Sequence, residues 1–369
     1  MHLEELSILN FKNLSEANLE LSPRINCFIG NNGVGKTNLL DAIHYLSMCK
    51  SHFNSIDSQN IKHEEEFFII KGKYKNEEQE ELISCGFKRL VGKTMKRNKK
   101  EYDKLADHIG FIPLVMITPS DNSLISEGSE ERRRFIDSVI SQFDPAYLHD
   151  LILYNKLLMQ RNKLLKNFAE SGRFDSEMLE VYSAQLSASG QRIFEKRKSF
   201  ISEFVPVFRE FYTEIAGTEE LADIQYISQL HDSKMEQLLA QCIQKDRVLE
   251  YTSVGIHKDD LGLFLGQYPA KKIASQGQQK TFVVALKLAE FKFIKKHNGK
   301  KPLLLLDDIF DKFDPQRVQK IVHITSDENF GQIFITDTEI HRIKNILKEI
   351  KSESNIFTMN HDEIVKTTL

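Results

Sequence analysis

The residues Gly30-Asn31-Asn32-Gly33-Val34-Gly35-Lys36-Thr37 fit the pattern G-x-x-x-x-G-K-[ST] without a gap. The residues before them, Ile25 to Ile29, read as a short apolar strand, and those after, Thr37 to about Met48, as a helix with Leu39, Leu40, Ile43 and Leu46 on one face. A glycine loop between a strand and a helix is the context in which this pattern cradles a triphosphate. Its glycines let backbone N–H groups turn inward around the phosphates, Lys36 reaches the β- and γ-phosphates, and the Thr37 hydroxyl ligates Mg²⁺. ATP is therefore the expected ligand of Gly30 through Thr37 and of Asn38 behind them, with Mg²⁺ as its metal. The spacing does not match G-x-G-x-x-G, which disfavours a dinucleotide.

A second group completes that chemistry. Leu303-Leu304-Leu305-Leu306-Asp307-Asp308 reads as a fully buried strand with two carboxylates at its C-terminal end, where α/β sheets hold their ligands. Asp307 would share the Mg²⁺ with Thr37, and Asp308 could polarise an attacking water as general base beside Lys36. By itself the hexapeptide is equally a strand followed by an acidic turn; the phosphate loop upstream selects the catalytic reading. Ahead of this strand, Ser275-Gln276-Gly277-Gln278-Gln279 opens a helix, with Ser275 a natural N-cap and Gly277 permitting close backbone approach to a ligand.

The elements that must position these groups follow from the rest of the chain. Its 369 residues, 41% hydrophobic and 28% charged, can bury one large core and a second smaller one. Leu3 to Phe11 and Ala17 to Leu21 alternate as strands; Phe67 to Tyr74, Glu81 to Phe87 and a basic segment near Lys93 to Lys100 suggest an antiparallel flap; Leu114 to Ile117 fits another strand. From about Glu130 to Ala216 the pattern is helical, with Leu151 to Leu165 and a long run through Leu179, Tyr182, Leu186 and Ile193 to Tyr212. Strand signal returns at Leu261 to Leu265, then a helix from Gln276 to about Lys296, then strands at Leu303 to Leu306 and Gln332 to Thr336. The layout expected is an α/β nucleotide-binding lobe from 1–120 and 250–369, with the flap at about 65–100, and a mostly helical lobe from 121–249. The helical insertion, roughly 90 residues, is too short for a long coiled coil at about 1.5 Å per residue.

Composition narrows the function classes. No stretch approaches the roughly 20 apolar residues of a membrane helix, and Met1-His2-Leu3-Glu4-Glu5 lacks the order of a signal peptide, so a cytoplasmic protein without a membrane partner is expected. Cys27, Cys49, Cys85 and Cys242 lie far apart with no C-x-x-C spacing, which argues against zinc and disulfides. A net charge of −3 gives no global reason to expect nucleic acid.

Ala274-Ser275-Gln276-Gly277-Gln278-Gln279-Lys280 resembles the signature motif of ABC-type ATPases, and specifically the S-Q-G-Q-Q variant of the RecF family. Leu6-Ser7-Ile8-Leu9-Asn10-Phe11-Lys12-Asn13-Leu14 looks like that family's opening strand. Pro119-Ser120-Asp121 and Glu131-Arg132-Arg133-Arg134-Phe135-Ile136-Asp137 look like its central block, Gly255-Ile256-His257-Lys258-Asp259-Asp260-Leu261 its G-x-H-[RK]-D-D-[LF] segment, and Phe313-Asp314 its D-loop. The shared order implies an ABC-type P-loop ATPase head with a mostly helical second lobe. In that class the signature serine meets the γ-phosphate held by a second subunit, so the resemblance implies that Ser275, Gly277 and Gln278 complete the nucleotide site of a partner copy in an ATP-dependent homodimer. It also implies duplex or gapped DNA as ligand, a RecR-type mediator as partner, and loading of recombinase at single-strand gaps in repair and replication restart.

Departures from the wider pattern bear on rate. ABC enzymes usually carry Glu where Asp308 stands and His where Thr336-Asp337-Thr338 stands, which suits slow hydrolysis and a release switch. Lys312 replaces an acidic residue often seen before the D-loop; no glutamine is assigned to the Q-loop position, and Asp121 is a weak nominee near it. Among nearby residues, Lys88, Arg89, Lys93, Lys96, Arg97, Lys99 and Lys100 either track DNA phosphates or form a solvated strand edge. Lys93, Lys96, Arg97, Lys99 and Lys100 are the candidate DNA contacts. Of Arg132, Arg133 and Arg134 at least one should pair structurally, and His257 is either near an interface or a hydrogen-bonded structural imidazole. Two other functions fit the same motifs: an ABC ATPase subunit without a DNA role, and a non-hydrolysing scaffold dimerised by nucleotide. A small-molecule kinase fits less well, having no use for the signature segment.

Overall fold

The computed structural model describes residues 1–76, 79–217, 220–312, 315–326, 330–350, 352–360 and 363–367. The chain divides into two compact units, one of Met1–Asp121, Glu214–Gly217 and Lys280–Leu369, the other of Asn122–Thr213 and Thr218–Gln279.

The first unit holds two sheets. Strands β1 (His2–Phe11), β2 (Leu14–Glu20), β4 (Phe67–Lys75), β5 (Glu80–Lys88), β6 (Gly92–Arg97) and β7 (Lys100–Glu101) form an antiparallel sheet in the order β2-β1-β4-β5-β6-β7. Buried side chains alternate along β4, where Phe68, Ile70 and Tyr74 face the core while Lys71, Lys73 and Lys75 stand on the opposite face. The second sheet runs β15-β14-β3-β13-β12-β8, from β3 (Ile25–Ile29), β8 (Leu114–Ile117), β12 (Leu303–Asp307), β13 (Ile333–Asp337), β14 (Ser354–Met359) and β15 (Ile364–Thr367). It is parallel throughout except for β15, which returns antiparallel along the edge. Every residue of β3, β8, β12 and β13 is buried, the pattern of a sheet covered on both faces, and each such Leu or Ile contributes about 1.5–3 kcal/mol of burial.

Helix α1 (Lys36–Met48) packs against β4 and β5 of the first sheet and β8, β12 and β13 of the second. Sequence periodicity suggests one apolar face for it. Held between two sheets it is instead buried nearly all round, with Ala42, Tyr45 and Met48 inside alongside Leu39, Leu40, Ile43 and Leu46. A C-terminal helix (Ile340–Ile350), together with the β14–β15 hairpin, completes this unit in a stretch where no element was expected after Thr336. Their polar-rich sequences and short apolar runs explain why.

The other unit is mostly helical. It contains α2 (Ser123–Ser126), α3 (Ser129–Ser141), α4 (Pro145–Ser171), most of α5 (Ser176–Ala216), α6 (Met235–Gln241), α7 (Ile243–Leu249) and α8 (Ala270–Ile273). Helix α4 starts cleanly because Asp144 caps it, accepting from the Tyr147 N–H, with Pro145 in the first turn; Gly172, left-handed at φ 67°, ends it. Helix α5 spans 41 residues, about 60 Å, which is a long helix and not an extended coiled-coil arm. A small sheet, β11-β10-β9, pairs β9 (Ala222–Ile227) with β10 (Asp260–Leu265) and β11 (Tyr268–Pro269). That pairing carries residues 250–279 into this unit, whereas the sequence suggested a division near 250; the polar alternation of β9 is too weak to read in advance. The division falls inside α9 (Gln276–Asn298), which is followed in the first unit by α10 (Pro315–Ser326) and α11 (Ile340–Ile350).

Buried ion pairs tie the helical unit together. Arg197, 1% exposed, donates to Asp137, to Asp259 and to the carbonyl of Ile256. Arg161, fully buried, holds Asp246 at 2.7 Å. Among the described residues no helix is long and apolar enough to cross a membrane.

Candidate nucleotide site

The glycine loop sits at the C-terminal end of β3, and β13 and β12 bring their own C-terminal ends alongside, since Asp337 pairs with Ile29 and Asp307 with Thr336. Two glycines are dictated by space and backbone. A side chain at Gly30 would collide with the Met359 carbonyl, and Gly35, which precedes α1, has φ 108°. Val34 is buried, whereas Asn31, Asn32 and Gly33 are exposed. Lys36, 4% exposed, folds back so that its ammonium donates to the carbonyls of Gly30 and Asn31 at 2.9 and 3.1 Å. Asn38 donates to the Asn13 side-chain carbonyl at 2.7 Å, and Asn13 donates to the Gly33 carbonyl at 3.1 Å, so the β1–β2 turn braces the loop.

Thr37 and Asp307 meet across the sheet. The Thr37 hydroxyl lies 2.9 and 3.0 Å from the two Asp307 oxygens. Thr336 contributes a further hydrogen bond to Asp307 at 2.8 Å and accepts the Asp308 backbone N–H at 2.9 Å. Burial pushes the Asp307 carboxyl above the usual carboxylate range, opposed by the hydrogen bonds from Thr336 and Thr37. Asp308 is half-buried with φ 44°, a left-handed turn that swings it off the strand line directly after Asp307. Asp337 is buried and paired with Arg342 at 3.1 Å. Thr336 and Asn13 lie in segments the sequence singled out without a role of their own; the parallel register and the β1–β2 turn reveal what they hold.

In the helical unit Ser275 caps α9 as expected, and does so reciprocally. Its hydroxyl accepts the Gln278 N–H at 3.3 Å while the Gln278 side-chain carbonyl accepts the Ser275 N–H at 2.7 Å, a capping box. Ser275 and Gln276 are exposed, Gly277 and Gln278 half-buried.

A family model described as the RecF/RecN/SMC N-terminal domain matches residues 2–363. A Flavobacterium johnsoniae protein, DNA replication and repair protein RecF, is 52% identical over 97% of this chain and 100% of its own length. The protein of the same name from Phocaeicola vulgatus is 51% identical over 99% of this chain and 98% of its own. The chain belongs to the RecF family. Among solved structures, recombination mediator protein RecF-ATP of the RecFOR pathway superposes with a TM-score of 0.89 at 30% identity, covering 100% of this chain and 98% of that one. An SMC head bound to the C-terminal winged-helix domain of ScpA, 13% identical with a TM-score of 0.59 over 100% of this chain and 98% of that one, shares the fold. The ABC-type α/β architecture is thus that of RecF and of SMC heads.

Several RecF-like segments prove to be structural. Arg132 grips Asp260, Arg133 donates to Ser129 and the Asp259 carbonyl, and Arg134 pairs with Glu130 and Glu131. His257 is hydrogen-bonded to the Tyr154 hydroxyl at 2.8 Å and to the Thr252 carbonyl at 3.0 Å, and burial lowers its pKa to about 4, so it is a neutral structural imidazole. Asp121 accepts from the Thr118 N–H and faces Lys287 at 3.4 Å. Phe313 and Asp314 lie outside the described residues.

The basic run on the flap divides in two. Lys93 is paired with Asp57 at 2.8 Å and donates to the Cys49 carbonyl, while Arg97 forks onto Glu81 and stacks over Phe111 at 4.0 Å. Lys96 faces Glu101 across the hairpin at 3.9 Å. Lys99 and Lys100 stand exposed at the β6–β7 turn.

Proposed function

We propose that this RecF-family chain binds ATP with Mg²⁺ at Gly30–Asn38 and Asp307, and that the bound nucleotide joins two copies into a clamp on duplex DNA near single-strand gaps. The observation that carries the reading is the meeting of Thr37 and Asp307 at the end of a glycine loop, within 3.0 Å of one another. Two hard oxygen donors at that distance fit a small divalent cation that takes its remaining ligands from phosphate and water. When bound, Mg²⁺ would neutralise charge developing on the transferred phosphoryl group.

The chain's own groups would do the rest. Lys36, already inside the loop, can exchange its bonds to the Gly30 and Asn31 carbonyls for phosphate oxygens without moving its stem. Asp308 would orient and deprotonate the attacking water. Thr336, by fixing Asp307 and the backbone of Asp308 together, holds metal ligand and base at a set separation. With Asp for the usual Glu and no histidine at the end of β13, turnover would be slow, which suits a timed release: the γ-phosphate favours the closed pair and its loss opens it. Ser275, Gly277 and Gln278 would present a helix N-terminus to the γ-phosphate held by the other copy. A RecR-type mediator and recombinase loading follow the family and the RecFOR pathway of the solved relative.

The test is to measure phosphate release and oligomeric state together, with and without gapped duplex. ATP-dependent dimers with DNA-stimulated turnover are expected. Lys36→Arg should still bind nucleotide but hydrolyse it poorly, and Ser275→Arg should bind ATP yet remain monomeric. A Ser275→Arg protein that still dimerises with ATP would overturn the shared-site scheme.

A further inference from the structure

The capping box at the start of α9 is held from outside by a residue that no motif marks. Glu220 lies just before β9, half-buried, and one of its carboxylate oxygens accepts the Gln278 side-chain N–H at 2.6 Å. Its other oxygen accepts the hydroxyl of Tyr212, itself 1% exposed, at 2.9 Å. We propose that Glu220 is a positioning residue for the signature serine, acting through Gln278; the functional part of this inference rests on the shared-nucleotide reading above.

The argument is one of donors and acceptors. A glutamine amide can turn end for end, presenting either its carbonyl or its NH₂ to a neighbour. Only the carbonyl end can accept the Ser275 N–H; the flipped amide would set two donors against each other. An ionised carboxylate has no proton to give, so Glu220 admits only the NH₂ end of Gln278 on its side. That leaves the carbonyl end for Ser275, where it is found at 2.7 Å. With the Ser275 backbone so fixed, its oxygen accepts from the Gln278 N–H at 3.3 Å and its hydroxyl proton is left to point away from the helix, as a donor to an incoming anion. Tyr212, near the end of α5, anchors the carboxylate in turn. The chain from Tyr212 through Glu220 and Gln278 to Ser275 converts a flexible exposed serine into an oriented donor. A charge-bearing hydrogen bond of this kind is about twice as strong as a neutral one.

Glu220→Ala, Gln278→Ala and the double variant test this with three readouts. In nucleotide-free protein, amide exchange over residues 275–279 should quicken about tenfold in Glu220→Ala, as expected when one strong local hydrogen bond is lost. With a non-hydrolysable ATP analogue, sedimentation should show the dimer weakened about tenfold, while nucleotide binding by the isolated protomer stays within about twofold. The double variant should match Gln278→Ala alone, and Glu220→Gln, whose amide can face Gln278 either way, should fall between wild type and Glu220→Ala. Exchange at wild-type rates in Glu220→Ala, or losses from the two single changes that add, would overturn the proposal. A wild-type protein that stays monomeric with the analogue would instead sink the shared-nucleotide reading, and the exchange rates would still decide whether Glu220 orders the serine.

Discussion

The hydroxyl of Thr37 reaches the carboxylate of Asp307, a residue 270 positions further along the chain, at 2.9 Å. Two groups that sequence motifs assign to one metal are therefore already adjacent in the protein, held by the neighbouring strand through Thr336.

The cost of that arrangement is measurable. Asp307 has a raised pKa, so its ionised form is less at home in the native protein than in the unfolded chain, and stability contributed at low pH is lost as pH rises through the carboxylate range. Asp307→Asn should therefore raise the thermal midpoint of metal-free protein at pH 7.5 while lowering ATP turnover by at least about 100-fold. Calorimetry without Mg²⁺ beside a phosphate-release assay checks both; a lowered midpoint would contradict the burial argument.

Thr336 bonds to Asp307 and receives the Asp308 N–H from a fully buried position. Thr336→Val, nearly the same shape, should destabilise the protein by about 1–3 kcal/mol through unmade hydrogen bonds, and Thr336→Ser should recover most of that. Urea unfolding of both variants distinguishes hydrogen bonding from packing.

On the flap, the geometry separates binding from folding. Lys99→Ala with Lys100→Ala removes two exposed charges and should reduce the slope of log affinity for duplex against log salt by about 2, with the urea midpoint unchanged. Lys93→Ala and Arg97→Ala break the pairs to Asp57 and Glu81 and should show first as lost stability. Equal salt slopes for wild type and the double lysine variant would remove this turn from the DNA surface.

Two buried histidines, His44 and His108, and the half-buried His257 set an acid limit. Burial lowers His44 to about 3 and His108 and His257 to about 4, all below the unfolded value. Each therefore contributes stability that is complete above about 6.5 and is lost as pH falls toward the native value, by an amount on the order of a few kcal/mol. Urea midpoints should drop steeply between pH 6.5 and pH 4.5, and His257→Gln should flatten the curve.

What the sequence makes legible is chemistry that allows few substitutes. The glycine loop, Lys36, Thr37 and the acidic pair announce themselves because phosphate and metal need those residue types at that spacing, and the buried strands because their apolar runs have no other home. What it hides is long-range. Asn13 and Thr336 are ordinary polar residues until the register places them beside Gly33 and Asp307, and Glu220 is one acid among many until Gln278 is seen against it. The flap lysines look alike in sequence; only pairing across β5 and β6 shows that Arg97 answers Glu81 while Lys100 faces solvent.

Helix α1 begins at the phosphate loop and ends where the Cys49 carbonyl receives the ammonium of Lys93 from the flap. Its 13 residues make a rigid lever of about 20 Å, clasped along its length by both sheets. The glycine loop and the Lys93 contact are thus the two ends of one unbroken helix.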